Sequence, residues 1–355
     1  VTRGPRPWQP NVVELDRFRE VQQLAYRGAE EVAAGLDVGV SEKEAAGRLR
    51  RWLEDEGVDD WFHLPFAWFG DRTAFRGFRS AWPLDFFPTG RRLAEGMPYI
   101  LDCAPVLDGF TADVGYSGSL GANPAVDRLQ ADLAEHRALV VDQVRARRSL
   151  REVYEAVDAL AARQGFENRH RAYPFRVIAH QVHRLPSRRS RSRGRPPIVG
   201  RFGLRSLRRL GRTALVGLPQ GWSPLWNGTR FSDHPPPPGL WAVEPHLGLR
   251  GVGAKFEELL VVTDDDAFWL DDDLPHVRRW TAAAAATAVM PTPTAAPQEQ
   301  ATAIGTVRSA AASSSSVSTS PVMVAGAGST ATLDDDNVGA AASPTGPTGP
   351  TTEPT

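Results

Sequence analysis

The segment ILDCAPVLDGFTADVGYS, Ile100 to Ser117, places the strongest constraint on the fold. Its centre, Asp108-Gly109, is a two-residue hairpin signal, because a type I′ turn needs positive φ at both central residues. With that turn, Leu107 pairs with Phe110, Ala104 lies opposite Asp113, and Asp102 lies opposite Gly115. Alternation puts Asp102, Ala104, Val106, Thr111, Asp113 and Gly115 on one face. The two carboxylates become diagonal neighbours, about 7–8 Å apart at the backbone. Small Ala104 and Gly115 leave room between them. Carboxylates held this close repel unless something positive sits between them, and a divalent cation answers that need. A solvated hairpin face is the alternative. Asp108 itself is read as a turn residue only.

The rest of the chain is long enough for one large domain or two ordinary ones, at 355 residues and a formal net charge of -1. That balance excludes a general polyanion binder. Basic charge is almost all Arg, with Lys43 and Lys255 the two lysines. Cys103 is the one cysteine, so no intramolecular disulfide can form and a reducing cytoplasm is expected. Alternation turns Cys103 away from the Asp102 face, as a buried structural thiol. The N-terminal VTRGPRPWQPNVVELDRF has no apolar core of a signal peptide, and no apolar run reaches membrane-spanning length, so no membrane partner is expected.

Apolar residues at spacings of three and four predict a helix from about Leu15 to Gly35. Ser41 with Glu44 forms a capping box for a second helix that ends near Gly57. Trp61 to Phe87 reads as aromatic strands and loops. Asn123-Pro124 opens a long helix, and SLREVYEAVDALAARQG another. FRVIAH is a short strand candidate. Residues 184–212 are Arg-rich with no acidic residue and read as a solvated insertion. They lack interleaved aromatics apart from Phe202, which argues against nucleic acid as a partner. GLWAVEPHL and FEELLVVTDDDAFWL are strands. After Trp280 the chain is Ala, Ser, Thr, Pro and Gly, a composition that cannot offset its ordering entropy. The expected organisation is a 1–14 extension, a 15–280 domain and a disordered 281–355 tail.

Further acidic and imidazole groups stand in apolar strand contexts: His180, Glu244 and Glu257, with His234 in SDHPPPPG. Each alone could be a core histidine, a strand end or an edge-strand carboxylate. Together they are less easily dismissed, because isolated buried carboxylates are costly to ionise. Asp102, Asp113, His180, Glu244 and Glu257 make a hard-ligand set for two ions of Mn²⁺, Fe²⁺, Co²⁺ or Zn²⁺. Two metals about 3.5–4 Å apart can hold a water, lower its pKa and polarise a carbonyl, which is amide hydrolysis chemistry.

The order Asp, Asp eleven later, His, Glu, Glu resembles the methionine aminopeptidase, prolidase and creatinase superfamily, metallopeptidase family M24. LAEGMPYILDCAPVLDGFTAD looks like its Asp-bearing hairpin, VIAH its first active-site His strand, GLWAVEP its Glu-Pro segment and GAKFEELLVVTDDD its closing Glu strand. The likeness covers roughly residues 15–272. It implies the α+β pita-bread fold, a curved antiparallel sheet covered by helices. It also implies metal ligands Asp102, Asp113, His180, Glu244 and Glu257, with Glu244 as acid/base and a peptide as substrate.

Four departures stand out. His180-Gln181-Val182-His183 replaces His-Gly-hydrophobic-Gly, and Gly115 replaces a Thr. The family's upstream substrate-binding His is missing, since counting back from Asp102 lands near Leu84. The second His is absent from the Arg-rich segment, and His234 is the chosen substitute, with His183 the other option. The missing upstream His points away from the methionine-specific type, towards an Xaa-Pro or generic aminopeptidase. The large N-terminal domain of many Xaa-Pro enzymes is not expected here. The alternatives are a catalytically impaired scaffold that binds peptide or nucleic acid, and a hydrolase of a small non-peptide C–N bond.

Overall fold

The computed structural model describes residues 9–77, 84–186 and 198–289. Two helices open the chain, α1 (Val12–Ala34) and α2 (Glu42–Asp55). Asn11 with Glu14 and Ser41 with Glu44 cap them reciprocally, the second as the sequence predicts. Then come β1 (Asp60–Phe69), β2 (Pro98–Leu107), β3 (Phe110–Thr111) and β4 (Val114–Ser119). α3 (Pro124–Arg145) starts on its Asn123 cap with proline in the first turn, and α4 (Leu150–Arg163) on a Ser149 capping box. The remaining strands are short: β5 (Glu167–Asn168), β6 (Ala179–Val182), β7 (Ile198–Val199) and β8 (Phe202–Gly203). After α5 (Leu204–Gly217) follow β9 (Leu225–Trp226), β10 (Gly239–Val243), β11 (His246–Leu249), β12 (Val252–Lys255), β13 (Glu258–Val262) and β14 (Ala267–Trp269). α6 (Pro275–Val289) ends the described chain.

Every strand pairing is antiparallel. One sheet runs β3-β2-β1-β8-β7 with β4 added to β2, a second runs β14-β13-β10-β6-β9, and a third runs β12-β11-β5. A single bridge, Gly115 to Glu257, stitches the first sheet to the segment that enters β13. α1 and α2 bury Phe18, Val21, Leu49 and Leu53 in one core with Leu101 and Cys103. α3 and α4 bury Leu129, Val140, Val153 and Val157 in another, with Trp226 and Trp241. Each such buried side chain contributes about 1.5–3 kcal/mol. Among the described residues no helix is long and apolar enough to cross a membrane.

Two segments differ from expectation. The Arg-rich stretch, where described, is not merely solvated: β8 pairs with β1, and α5 packs behind it. Two of its arginines pack inward. Arg205 pairs with buried Asp60 at 2.7 Å, and Arg201 lies over the rings of Phe66 and Phe87. Residues 187–197 lie outside the described residues. The expected tail begins as helix, since α6 continues through Val289. The alanines of the TAAAAATA run are strong helix formers and extend the turn that Pro275 starts. Residues 290–355, and 1–8 of the N-terminal extension, lie outside the described residues.

Candidate metal centre

The hairpin has the register its turn dictates. Leu107 pairs with Phe110 and Asp102 with Gly115, with Asp108 at φ 53 and Gly109 at φ 87. Asp102 and Asp113 therefore share a face, and Cys103 points into the opposite core. On the second sheet, His180 pairs with Ala242 and Ala242 with Leu259. Counting by two from Ala242 and Leu259 brings Glu244 and Glu257 onto the His180 face. The Gly115–Glu257 bridge closes the two faces on each other. All five residues are buried.

Asp113 is the hub. Its Oδ1 accepts from His63 Nε2 and its Oδ2 from His180 Nε2, each at 3.1 Å. Burial raises the Asp113 carboxyl, but His63 and His180 outweigh it and hold it well below the usual carboxylate range. Burial pushes His63 down, and Asp113 and Asp102 more than restore it, so its pKa ends raised. Both ring nitrogens of His63 face acceptor oxygens, Asp113 and the Leu64 carbonyl. Burial and the nearby charges of Asp113 and Glu244 raise Glu257 well above the ordinary value. Burial likewise raises Glu244.

His63 was invisible to spacing. A regular strand would put His63 and Phe66, three apart, on opposite faces. β1 instead carries two one-residue register shifts, so His63 stands opposite Ala104 and Phe66 opposite Asp102. Both thereby face the site. An imidazole upstream of the hairpin is thus present, brought in by the bulged strand and not from the neighbourhood of Leu84. The proline at position 65, unable to donate a ladder hydrogen bond, was the available signal.

The two candidates for the second histidine, His234 and His183, are not brought to the cluster. His234 Nε2 accepts the Ser223 backbone N–H at 2.8 Å, beside the start of α4, where the His234 carbonyl accepts from Leu150. His183 contacts Thr213 Oγ1 at 3.0 Å, and burial lowers its pKa to about 3.

The sequence reading also missed Lys255. Its Nζ lies 2.5 Å from Asp102 Oδ2, 2.7 Å from Glu244 Oε2 and 2.9 Å from Glu257 Oε2. Burial pulls this ammonium down, but Asp102, Glu244 and Glu257 overcome it and hold it well above the usual lysine value.

A cavity of about 520 Å³ opens onto the cluster. Its wall is mostly apolar, with Phe62, Phe66, Trp68, Phe86, Tyr173 and Phe202, joined by Leu207 and Leu210 of α5.

The donor set fits a divalent metal. Ligand atoms of His63, Asp102 and Asp113 lie within 4.8 Å of one another, as do those of Asp113, His180 and Glu257. Asp102 Oδ1 is buried without a hydrogen-bond partner. Imidazole and carboxylate together suit Mn²⁺, Fe²⁺, Co²⁺ or Zn²⁺.

The model of metallopeptidase family M24 matches residues 16–264. This chain belongs to that family. Solved structures similar to it are X-Pro aminopeptidase from Thermotoga maritima MSB8 (15% identity, TM-score 0.55), recombinant prolidase from Thermococcus sibiricus (17%, 0.51) and Pseudomonas aeruginosa aminopeptidase PepP (16%, 0.52). They cover 76%, 75% and 78% of this chain, which spans only 63%, 61% and 60% of theirs. The M24 chain accordingly has the α+β pita-bread fold. No curated protein matches it in sequence.

Proposed function

We propose that this M24 chain is a metal-dependent aminopeptidase, of Xaa-Pro or generic type, that hydrolyses the N-terminal bond of a peptide. The observation that carries this reading is the convergence of Asp102, Asp113, His180, Glu244 and Glu257 beside an apolar cavity. These five residues form the cage in which metal would bind, with His63 within reach of the same site. When bound, a divalent ion supplies a Lewis acid for the scissile carbonyl and lowers the pKa of water. Glu244 is the acid/base: burial raises its carboxyl, which suits it to take a proton and pass it to the leaving amine. His63 takes the substrate-facing role first given to His234. The apolar wall orients the peptide and limits bulk water around the reacting bond. Its breadth favours a large apolar side chain next to that bond.

One observation favours a second reading, a scaffold that binds peptide without cutting it. Lys255 already neutralises part of the cage. A peptide panel with proline, small or bulky apolar residues at the first two positions separates the two. Mass spectrometry would follow release of the first residue with added Mn²⁺, Co²⁺ or Zn²⁺. The peptidase reading predicts ion-dependent release, fastest for bulky apolar residues and stopped by a chelator. Peptides that bind but stay intact with every ion would overturn it.

A further inference from the structure

The three contacts of Lys255 raise the question of how many ions the cage takes. Lys255 Nζ donates to Glu244 and Glu257 and stands in ion-pair contact with Asp102, so carboxylates from three separate parts of the site converge on one ammonium. The side chain is only 2% exposed and lies 5.6 Å from the centroid of the Tyr173 ring, so it is enclosed at its tip.

Its path depends on a second residue. A Cβ added at Gly115 would stand 2.4 Å from Lys255 Cε and 3.1 Å from Cγ. A side chain there would stand in the path that the lysine takes into the cage. Gly115 is also the position where the family resemblance leads one to expect Thr. The missing side chain at Gly115 is the channel through which Lys255 reaches the carboxylates.

The choice of lysine is informative in this chain. Every basic residue other than Lys43 and Lys255 is Arg. A guanidinium is a broad planar fork, whereas an ammonium is a compact point charge closer to the size of a metal ion. A second ion on the same three oxygens would face that fixed positive charge at contact distance, a strongly repulsive arrangement away from water. The oxygens Lys255 leaves free are those around Asp113, where both candidate ligand trios meet.

We propose that Lys255 is a built-in cation of this centre, standing in for one of two divalent ions, so that the cage holds a single ion on the Asp113 side. This rests on the metallopeptidase reading and sharpens it. His180 and Glu257 supply the remaining ligands of that ion, and His63 flanks it. Gly115 is a positioning residue whose role is to admit the lysine.

The test is the metal count of the full chain, stripped with chelator, reloaded with Mn²⁺ and desalted. Elemental mass spectrometry gives ions per chain, and electron paramagnetic resonance separates an isolated Mn²⁺ from an exchange-coupled pair. Wild type is expected to hold about one ion with an uncoupled spectrum. Lys255→Met is expected to rise to about two with a coupled spectrum. Gly115→Ser, which puts a side chain in the lysine's path, should move the same way. Circular dichroism identifies a variant that fails to fold, and the wild-type count still decides if both fail. Two coupled ions in wild type would overturn this inference alone, as would folded variants that stay at one. A wild type that takes no ion would overturn the metallopeptidase reading with it.

Discussion

Glu257 and Glu258 are neighbours in sequence and opposites in environment. Both are buried. Glu258 faces Arg137, which donates to both its oxygens at 2.7 and 3.0 Å, and His276 at 3.0 Å. Burial alone would raise Glu258, but His276 and Arg137 overcome it and hold it below the ordinary value. Glu257 faces Asp102, Asp113 and Glu244, with Lys255 as the cation in direct contact, and its pKa is driven up. Adjacent residues of extended chain point to opposite faces, so the single step into β13 crosses from an open ligand set to a closed ion pair. A buried carboxylate that brings its own counter-charges is structure. A buried group with more carboxylates than fixed cations is waiting for one.

Substitutions can break this contrast on either side. The largest effect is expected at the hub of the open side. Asp113→Ala should lower kcat/KM on a cleaved peptide by on the order of 10³-fold or more, and abolish metal retention, while the fold survives. Steady-state kinetics beside elemental analysis checks it. On the closed side, Glu258→Gln takes the buried carboxylate away from Arg137 and His276 and leaves Arg137 paired with exposed Asp272. It should cost about 3 kcal/mol, or roughly 6–12 °C in Tm by calorimetry, with the metal count unchanged. The smallest effect belongs to the third hairpin carboxylate. Asp108 is exposed, pairs with Arg17 at 3.0 Å and sits in the left-handed region. Asp108→Ala should cost only about 1 kcal/mol and leave activity intact, as thermal melts and kinetics would show.

The same contrast explains what the sequence could reveal. The hairpin register followed from Asp108-Gly109, because a two-residue turn leaves one pairing open. The helix starts at Ser41, Asn123 and Ser149 were written in their caps. Asp102, Asp113, His180, Glu244 and Glu257 were legible because charged residues interrupt apolar strands, and the structure gathers them on one seam. His63 was not, since two register shifts in β1 decide its face and no spacing rule encodes them. Lys255 was not, since a lysine in a strand reads as a surface residue until its three partners converge from separate elements. Leu207 and Leu210 were hidden inside an Arg-rich composition, although their spacing of three fits the helical face that reaches the cavity. His234 shows the converse: its place in the chain suited the role, while the fold sets its side chain beside Ser223 and away from the cluster.

The central claim is that the Glu257 side binds a divalent ion and the Glu258 side holds the fold. The most direct measurement is the Tm of wild type, Glu257→Gln and Glu258→Gln with and without Mn²⁺ after chelator treatment. An ion that binds only the folded chain, at a hundred times its Kd, adds about 2.7 kcal/mol, or roughly 5–10 °C. The account predicts that rise in wild type, its loss in Glu257→Gln, and a lower starting Tm with the full rise in Glu258→Gln. A wild type indifferent to Mn²⁺, Co²⁺ and Zn²⁺, or a Glu257→Gln variant that keeps the full rise, would contradict it.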